Sequence, residues 1–168
     1  MDNNSPWAEK NSPDEIRHAQ AIKKRKHARD KALQALYQWQ LSGEDLDWIR
    51  DHYLKEQGVS SGDEAYFLEL LYKIPSQVTV LDEQFKQYVS KFEDHVDPIE
   101  VNILRIATYE FQHHLEIPFK VVINEAVKLA KTYGADESHK FVNGVLDPLS
   151  KQLRQLETKA MAADISPD

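Results

Sequence analysis

The chain has 168 residues, 41 % of them hydrophobic, and a formal net charge of −7 at pH 7, which suits one domain with tails and a sizeable core. The absence of cysteine excludes disulfides, thiolate nucleophiles and cysteine-ligated zinc, and it fits a reduced, cytoplasmic protein. No apolar run approaches the roughly 20 residues of a membrane span, and no basic segment leads into an apolar one at the N-terminus, so we expect neither a membrane helix nor a secretory signal.

The first segment, residues 1–22, is predicted to be a flexible N-terminal extension. Two Ser-Pro pairs and many polar residues oppose packing there. An apolar pattern that includes Ile16 and Ile22 could add a short amphipathic turn to the helix that follows. The opposite end, residues 157–168, is predicted to be a flexible tail, which leaves residues 23–156 as the folded domain.

The first half of the folded domain shows apolar spacing typical of four helices. Their apolar faces carry Ala28, Ala32, Leu36 and Trp39; Leu46, Ile49, Tyr53 and Leu54; Tyr66, Phe67, Leu70 and Leu71; and Val78, Leu81, Phe85, Tyr88 and Val89. Gly43 and Gly58 are predicted to end the first two helices. Ser61 and Glu64 resemble a capping box for the third, which Pro75 should interrupt.

The second half of the folded domain has clearer signals for where helices begin and end. Asp97 is a predicted cap, followed by Pro98 in the first turn and by Glu100 at the third helical position. Pro118 is predicted to begin the next helix, and Gly134 is predicted to end it.

The last helical pattern continues through an Asn-Gly pair that would ordinarily suggest a hairpin turn. Because the apolar period does not change phase there, we place Gly144 inside the helix and expect it to allow a close backbone approach. Pro148 should bend this helix, or restart it with Asp147 as cap. No alternating strand pattern of useful length occurs, so we predict an all-α, compact bundle of about seven helices.

One charge anomaly precedes the first strong helical pattern. Six cations fall within nine residues with a single acid, Asp30, so the local net charge is +5 and the rest of the chain carries −12. The cations are Lys23, Lys24, Arg25, Lys26, Arg29 and Lys31. Cations at a helix N-terminus oppose the helix dipole, so helix stability does not explain them. A solvated helix end is one interpretation; we favour a local binding surface for RNA or another polyanion on an otherwise repelling protein.

The sequence offers no enzyme or metal site. It has no glycine-rich phosphate loop. The adjacent pair His113 and His114 would point about 100° apart on a helix, so we interpret them as surface histidines rather than metal ligands. Further along, Lys140, Phe141 and Asn143 combine a cation, a ring and an amide, the groups that bind unpaired bases. Spacing alone nevertheless favours a helix start there, with Phe141 in the core.

Four segments of the chain resemble the NusB family of bacterial transcription antitermination factors. They are "ARDKALQALYQWQLS", "ILRIATYE", "IPFKVVINEAVKLAKTYG" and "SHKFVNGVLD", in the family order and with the family spacing. The resemblance implies two helical subdomains, no enzyme activity and no cofactor. It also implies binding to the boxA element of nascent ribosomal RNA together with NusE, a small-subunit ribosomal protein, within an antitermination complex on RNA polymerase.

The resemblance also assigns roles to individual residues. The arginine-rich start of the family's first helix falls on Arg25, Lys26, His27 and Arg29, where RNA binding is expected. An aromatic residue of the family's RNA surface matches Phe141, beside Lys140 and Asn143. Positions implicated in partner function match Tyr37 and Glu100, and Glu137 stands where close relatives have aspartate.

Two other functions stay open from the sequence. One is a protein-only interaction module that binds NusE or another partner through its acidic face. The other is the RNA-recruiting domain of an RNA methyltransferase, which the lack of a glycine-rich cofactor fold disfavours. Some relatives self-associate, so a homodimer of the unbound chain is a further expectation.

Overall fold

The computed structural model describes residues 12–59, 62–90, 96–155 and 157, and within these ranges it contains seven α-helices and no strand. In chain order the helices are α1 (Pro13–Ser42), α2 (Leu46–Lys55), α3 (Glu64–Ser76), α4 (Val78–Lys86), α5 (Pro98–His113), α6 (Phe119–Tyr133) and α7 (Ser138–Leu153). The all-α prediction is confirmed. None of the described helices combines the length and the apolar character needed to cross a membrane.

The helices form two packed groups. Helices α1, α2 and α3 contact one another, and α4, α6 and α7 all contact α5. Helix α1 also packs against α5 and thereby joins the groups. Every residue of α5 from Val101 to Phe111 is buried, and a helix that is buried on all sides is a core element.

Helix α1 begins at Pro13 rather than near residue 23. The Ser12 hydroxyl accepts a hydrogen bond from the Glu15 amide at 3.2 Å, and the Glu15 carboxylate accepts one from the Ser12 amide at 2.9 Å. This capping box explains the early start. Residues 13–22 are therefore an exposed helical stretch, in contrast to the loose segment that composition suggested. The division into extension, domain and tail stays a prediction, and residues 1–11 lie outside the described ranges.

Two other predicted helix ends are confirmed, at Asp97 and Gly134, whereas α2 ends at Lys55, before Gly58, and Pro75 lies inside α3. The Asp97 carboxylate accepts from the Ile99 amide at 2.7 Å at the start of α5. The Gly134 amide donates to the Ala130 carbonyl at the end of α6. The predicted capping box of α3 includes Ser61, which lies outside the described residues.

The two expectations about α7 have different outcomes. Pro148 does not restart the helix, which is continuous from Ser138 to Leu153, and the predicted bend stays a prediction. Gly144 is helical as predicted, but it does not serve a close approach, because a Cβ added there would meet nothing within 4 Å. The backbone of Gly144 therefore has no steric need for glycine.

We expect Gly144→Ala to raise the free energy of unfolding by about 0.5–1 kcal/mol, because alanine loses less backbone entropy in a helix interior. Urea unfolding at constant m-value measures this. The control is Gly43→Ala: Gly43 has a φ of 69°, so alanine there should destabilise the protein. Equal effects of the two substitutions would contradict the prediction.

Candidate nucleic-acid interface

Arg29, in the middle of the predicted cationic cluster, is buried and ion-paired. Its side chain is 4 % exposed, and its guanidinium binds Glu110 of α5 through Nε at 3.0 Å and through Nη2 at 2.7 Å. The Tyr66 hydroxyl of α3 also donates a hydrogen bond to Glu110. Glu125 of α6 lies 3.8 Å from Arg29 Nη1. The pair thus holds α1 to three other helices.

The environment of the pair favours its charged form. Burial alone would lower the pKa of Arg29, but the charge and hydrogen bonds of Glu110 outweigh burial and raise it. Burial and the Glu110 charge likewise raise the pKa of Tyr66, which keeps its hydroxyl protonated as a donor. The Nε and Nη2 atoms of Arg29 are therefore directed at Glu110, and its contact with RNA stays a prediction.

The other predicted cations of α1 have different surroundings. Arg25 is half-exposed; its Nη2 lies 3.4 Å from Glu116, and its guanidinium stacks over the Tyr66 ring at 5.1 Å. His27 faces the segment between α2 and α3, with Nε2 3.5 Å from Asp63. Lys26 is exposed and forms no ion pair with any residue that the structure describes. The sequence cluster is thus divided between internal pairing and solvent.

A groove runs between α1 and α6 beside the Arg29 pair. Its lining residues are Lys23, Lys26, His27, Arg29, Asp30, Glu125, Lys128, Leu129, Lys131 and Thr132. The α6 side of this groove carries two exposed cations, Lys128 and Lys131. Sequence reasoning missed them because they lie about 100 residues from the α1 cluster in an ordinary amphipathic pattern. Their only signal was a three-residue spacing, which puts both on one helix face.

A second surface pocket lies where α5 and α7 begin. It brings together three predicted site residues, Glu100, Glu137 and Phe141. The Ser138 hydroxyl donates to Glu100 at 3.0 Å. Burial and neighbouring negative charge raise the pKa of Glu100, although the Ser138 hydrogen bond opposes this shift.

Glu137 takes an unusual backbone conformation at this pocket. Its φ is 69°, the left-handed region that non-glycine residues rarely occupy. Its carboxylate pairs with Lys140 at 2.6 Å. The left-handed residue immediately precedes α7 and sets the direction in which that helix leaves the pocket.

The remaining predicted residues lie elsewhere. Lys140 and Asn143 line a separate groove between α6 and α7, although the Lys140 ammonium also reaches Glu137 at the Phe141 pocket. Tyr37 is half-buried on α1. The two sites are held apart by α5, because Glu100 and Glu110 are ten residues apart, or about 15 Å along its axis. The contacts assigned to these residues stay predictions.

His114 is not the surface histidine that the sequence suggested. Its side chain is 13 % exposed, and its two ring nitrogens lie 2.5 Å from Glu69 and 2.7 Å from Glu116. Two carboxylates can both be satisfied only by an imidazolium, which donates from both nitrogens. Burial opposes that charge, but the hydrogen bonds to Glu116 and Glu69 outweigh it and raise the pKa of His114.

Residues 26–151 match the family model described as "NusB family". A Pseudoalteromonas atlantica transcription antitermination protein NusB is 47 % identical over 133 residues, covering 79 % of this chain and 95 % of the relative. The corresponding Hahella chejuensis protein is 42 % identical over 142 residues, covering 84 % of this chain and 95 % of the relative.

Solved structures agree with these matches. Thermotoga maritima NusB has a TM-score of 0.68 at 32 % identity, covering 76 % of this chain and 91 % of that one. A chain from a crystal structure of NusB and NusE with double-stranded RNA has a TM-score of 0.67 at 27 % identity, covering 78 % and 98 %. Fold and matches together define an all-α protein of the transcription antitermination class. Because the family model spans most of its length, the chain belongs to the NusB family.

We expect Arg29→Ala to lower the free energy of unfolding by about 3–5 kcal/mol, because Glu110 would be left as an unpaired buried charge. Chemical denaturation measures the loss. Arg29→Met combined with Glu110→Leu should recover a large part of it, since no buried charge then remains. The control is Arg17→Ala on the same helix, where the ion pair with Asp14 is exposed and its loss should have no measurable effect.

We expect stability to depend on the charge of His114. Because its pKa is raised on folding above the ordinary 6.5, its stabilising contribution is complete below pH 6.5 and is lost as the pH rises through the folded-state value. Urea unfolding between about pH 6 and pH 9 should show this decline, and His114→Gln should reduce it. His113→Gln, at the exposed neighbour, should leave the decline unchanged; if both variants behave alike, His114 is not its source.

Proposed function

We propose that this chain is a non-enzymatic transcription antitermination factor. It binds boxA RNA of nascent ribosomal RNA transcripts together with NusE and helps to assemble an antitermination complex on RNA polymerase. The observation that carries the proposal is the exposed cationic surface of α1 on a chain of net charge −7. Family membership supports it, as does the related structure in which NusB and NusE are in complex with RNA.

The two sites suit different parts of an RNA strand. Lys26, with Arg25 and His27 beside it, supplies positive charge for phosphates, which position a strand without reading its sequence. The pocket at Phe141 is different, because the carboxylates of Glu100 and Glu137 repel phosphate. It suits an unpaired base that stacks on the ring and donates hydrogen bonds to a carboxylate, as the cytosine amino group does.

Arg29 has a supporting role in this proposal. It fixes the register of α1 against α5 through Glu110, and Lys26 lies three residues earlier on the same helix. NusE is assigned to Tyr37, Glu100 and Glu137, of which Glu100 and Glu137 share the Phe141 pocket. The carboxylates of Glu100 and Glu137 suit a cationic partner. Because they also line the Phe141 pocket, a partner bound to them would either exclude a base from that pocket or orient it there.

The second candidate function is a protein-only interaction module. It is favoured by the internal pairing of Arg29 with Glu110 and of Arg25 with Glu116, which leaves fewer cations for phosphates than the sequence suggested. The salt dependence of binding distinguishes the two functions. For binding through phosphates, the logarithm of the binding constant falls linearly with the logarithm of the salt concentration, with a slope of about −0.7 per phosphate contact for single strands.

We expect Arg25→Ala combined with Lys26→Ala to weaken binding of boxA RNA and to flatten its salt dependence, because two phosphate contacts are lost. Phe141→Ala should instead cost about 1–3 kcal/mol of stacking energy with little change in salt slope. Fluorescence titrations at several salt concentrations, with and without NusE, measure both. Thermal melts verify that each variant is folded, since Phe141 also packs against the core.

Wild-type affinity should be higher for boxA RNA than for a scrambled RNA of equal length, and higher with NusE than without it. Equal affinity for both RNAs in the presence of NusE would refute the proposed function. Binding to NusE alone, with no RNA binding at any salt concentration, would establish the protein-only module.

A further inference from the structure

We propose that the groove between α1 and α6 is a track for the RNA phosphate backbone, and that Lys128 and Lys131 of α6 form its second wall. The inference rests on the proposed function and adds a binding element from a helix that the α1 cluster does not include. It predicts that the strand lies between two rows of cations rather than on the surface of α1 alone.

The first argument is the arrangement of the lysines. Lys23 and Lys26 on α1, and Lys128 and Lys131 on α6, are each three residues apart, so each pair extends along one face of its helix. All four side chains are exposed at the groove. A lysine ammonium on a flexible stem binds phosphate as a point charge, so two facing rows can follow a backbone of variable sequence.

The second argument is charge. The lining contains two carboxylates, and both are already engaged: Asp30 accepts from the Tyr133 hydroxyl at 2.8 Å, and Glu125 lies between Arg29 at 3.8 Å and Lys128 at 3.6 Å. When the Arg29–Glu110 pair is set aside, four lysines stand against these two acids. The groove is therefore a positive channel on a negative chain, which concentrates a polyanion there.

The third argument is the floor of the groove. Arg29 lines it: Nε and Nη2 bind Glu110, and Nη1 lies 3.8 Å from Glu125, so the guanidinium places positive charge beneath the groove. The buried guanidinium adds to the positive field at the base, and the exposed ammonium groups at both rims match a phosphate, which offers several acceptor oxygens. Among the described residues that line the groove, Leu129 is the only aliphatic one, whereas peptide binding usually depends on an apolar anchor in a pocket.

The test compares two double variants with equal loss of charge. Lys128→Ala with Lys131→Ala removes the proposed wall; Lys55→Ala with Lys73→Ala removes two exposed lysines that lie outside the groove lining. Binding of single-stranded boxA RNA is titrated at several salt concentrations, with NusE present. The groove variant should bind the RNA about tenfold more weakly. Its plot of log binding constant against log salt concentration should be shallower by about 1.4, because two phosphate contacts contribute about 0.7 each. The control variant should match the wild type.

Three other outcomes would each refute either this inference or the proposed function. If the groove variant matches the control while Arg25→Ala with Lys26→Ala weakens binding, the α6 wall is refuted and the proposed function stands. If the groove variant loses affinity for NusE alone and retains that for RNA, the groove takes an acidic protein segment, and the inference is wrong. If wild-type protein binds no RNA, the proposed function fails, and this inference fails with it.

Discussion

The structure depends on one buried ion pair, Arg29 with Glu110, braced by the Tyr66 hydroxyl. Removing two charges from water is expensive, and such a pair is tolerated only when its geometry is close and its remaining donors and acceptors are satisfied. The bidentate contact and the third donor meet that condition. Because the pair tolerates few alternative positions, it fixes α1 against α5. It thereby sets where every other cation of α1 points.

That constraint explains why a run of cations in sequence is not a run of cations on the surface. Helical residues three apart lie about 60° apart on one side of the helix, so at the edge of a buried face Arg29 points into the protein while Lys26 is exposed. The acids that pair with Arg29 and Arg25, Glu110 and Glu116, lie 81 and 91 residues away in the chain. Local charge patterning could predict a cationic surface, but it could not show which cations are neutralised inside the protein. The same distance hides the contribution of Lys128 and Lys131.

The fold itself was largely predictable, because a 3.6-residue period and local caps act over a few residues. The Asp97 cap and the Gly134 stop are of this kind. The start of α1 was missed although the Ser12–Glu15 capping box is local, because the polar composition of residues 1–22 predicted a flexible segment and this cap was not recognised. The error at Gly144 has a different origin: what surrounds a residue inside a helix depends on tertiary packing, which the period of its own helix does not contain.

The separation of the two sites bears on how selectivity could arise. Helix α5 joins them, with Glu110 beneath the groove and Glu100 in the Phe141 pocket, about 15 Å apart along its axis. Phosphates held in the groove would contribute affinity without sequence information, whereas a base in the pocket could be read but would be held by few contacts. A strand that reaches both sites gains from effective concentration, since binding at one makes binding at the other intramolecular. On an acidic protein each site alone should be weak. Selectivity then follows from the requirement that one strand satisfy the groove and the pocket together.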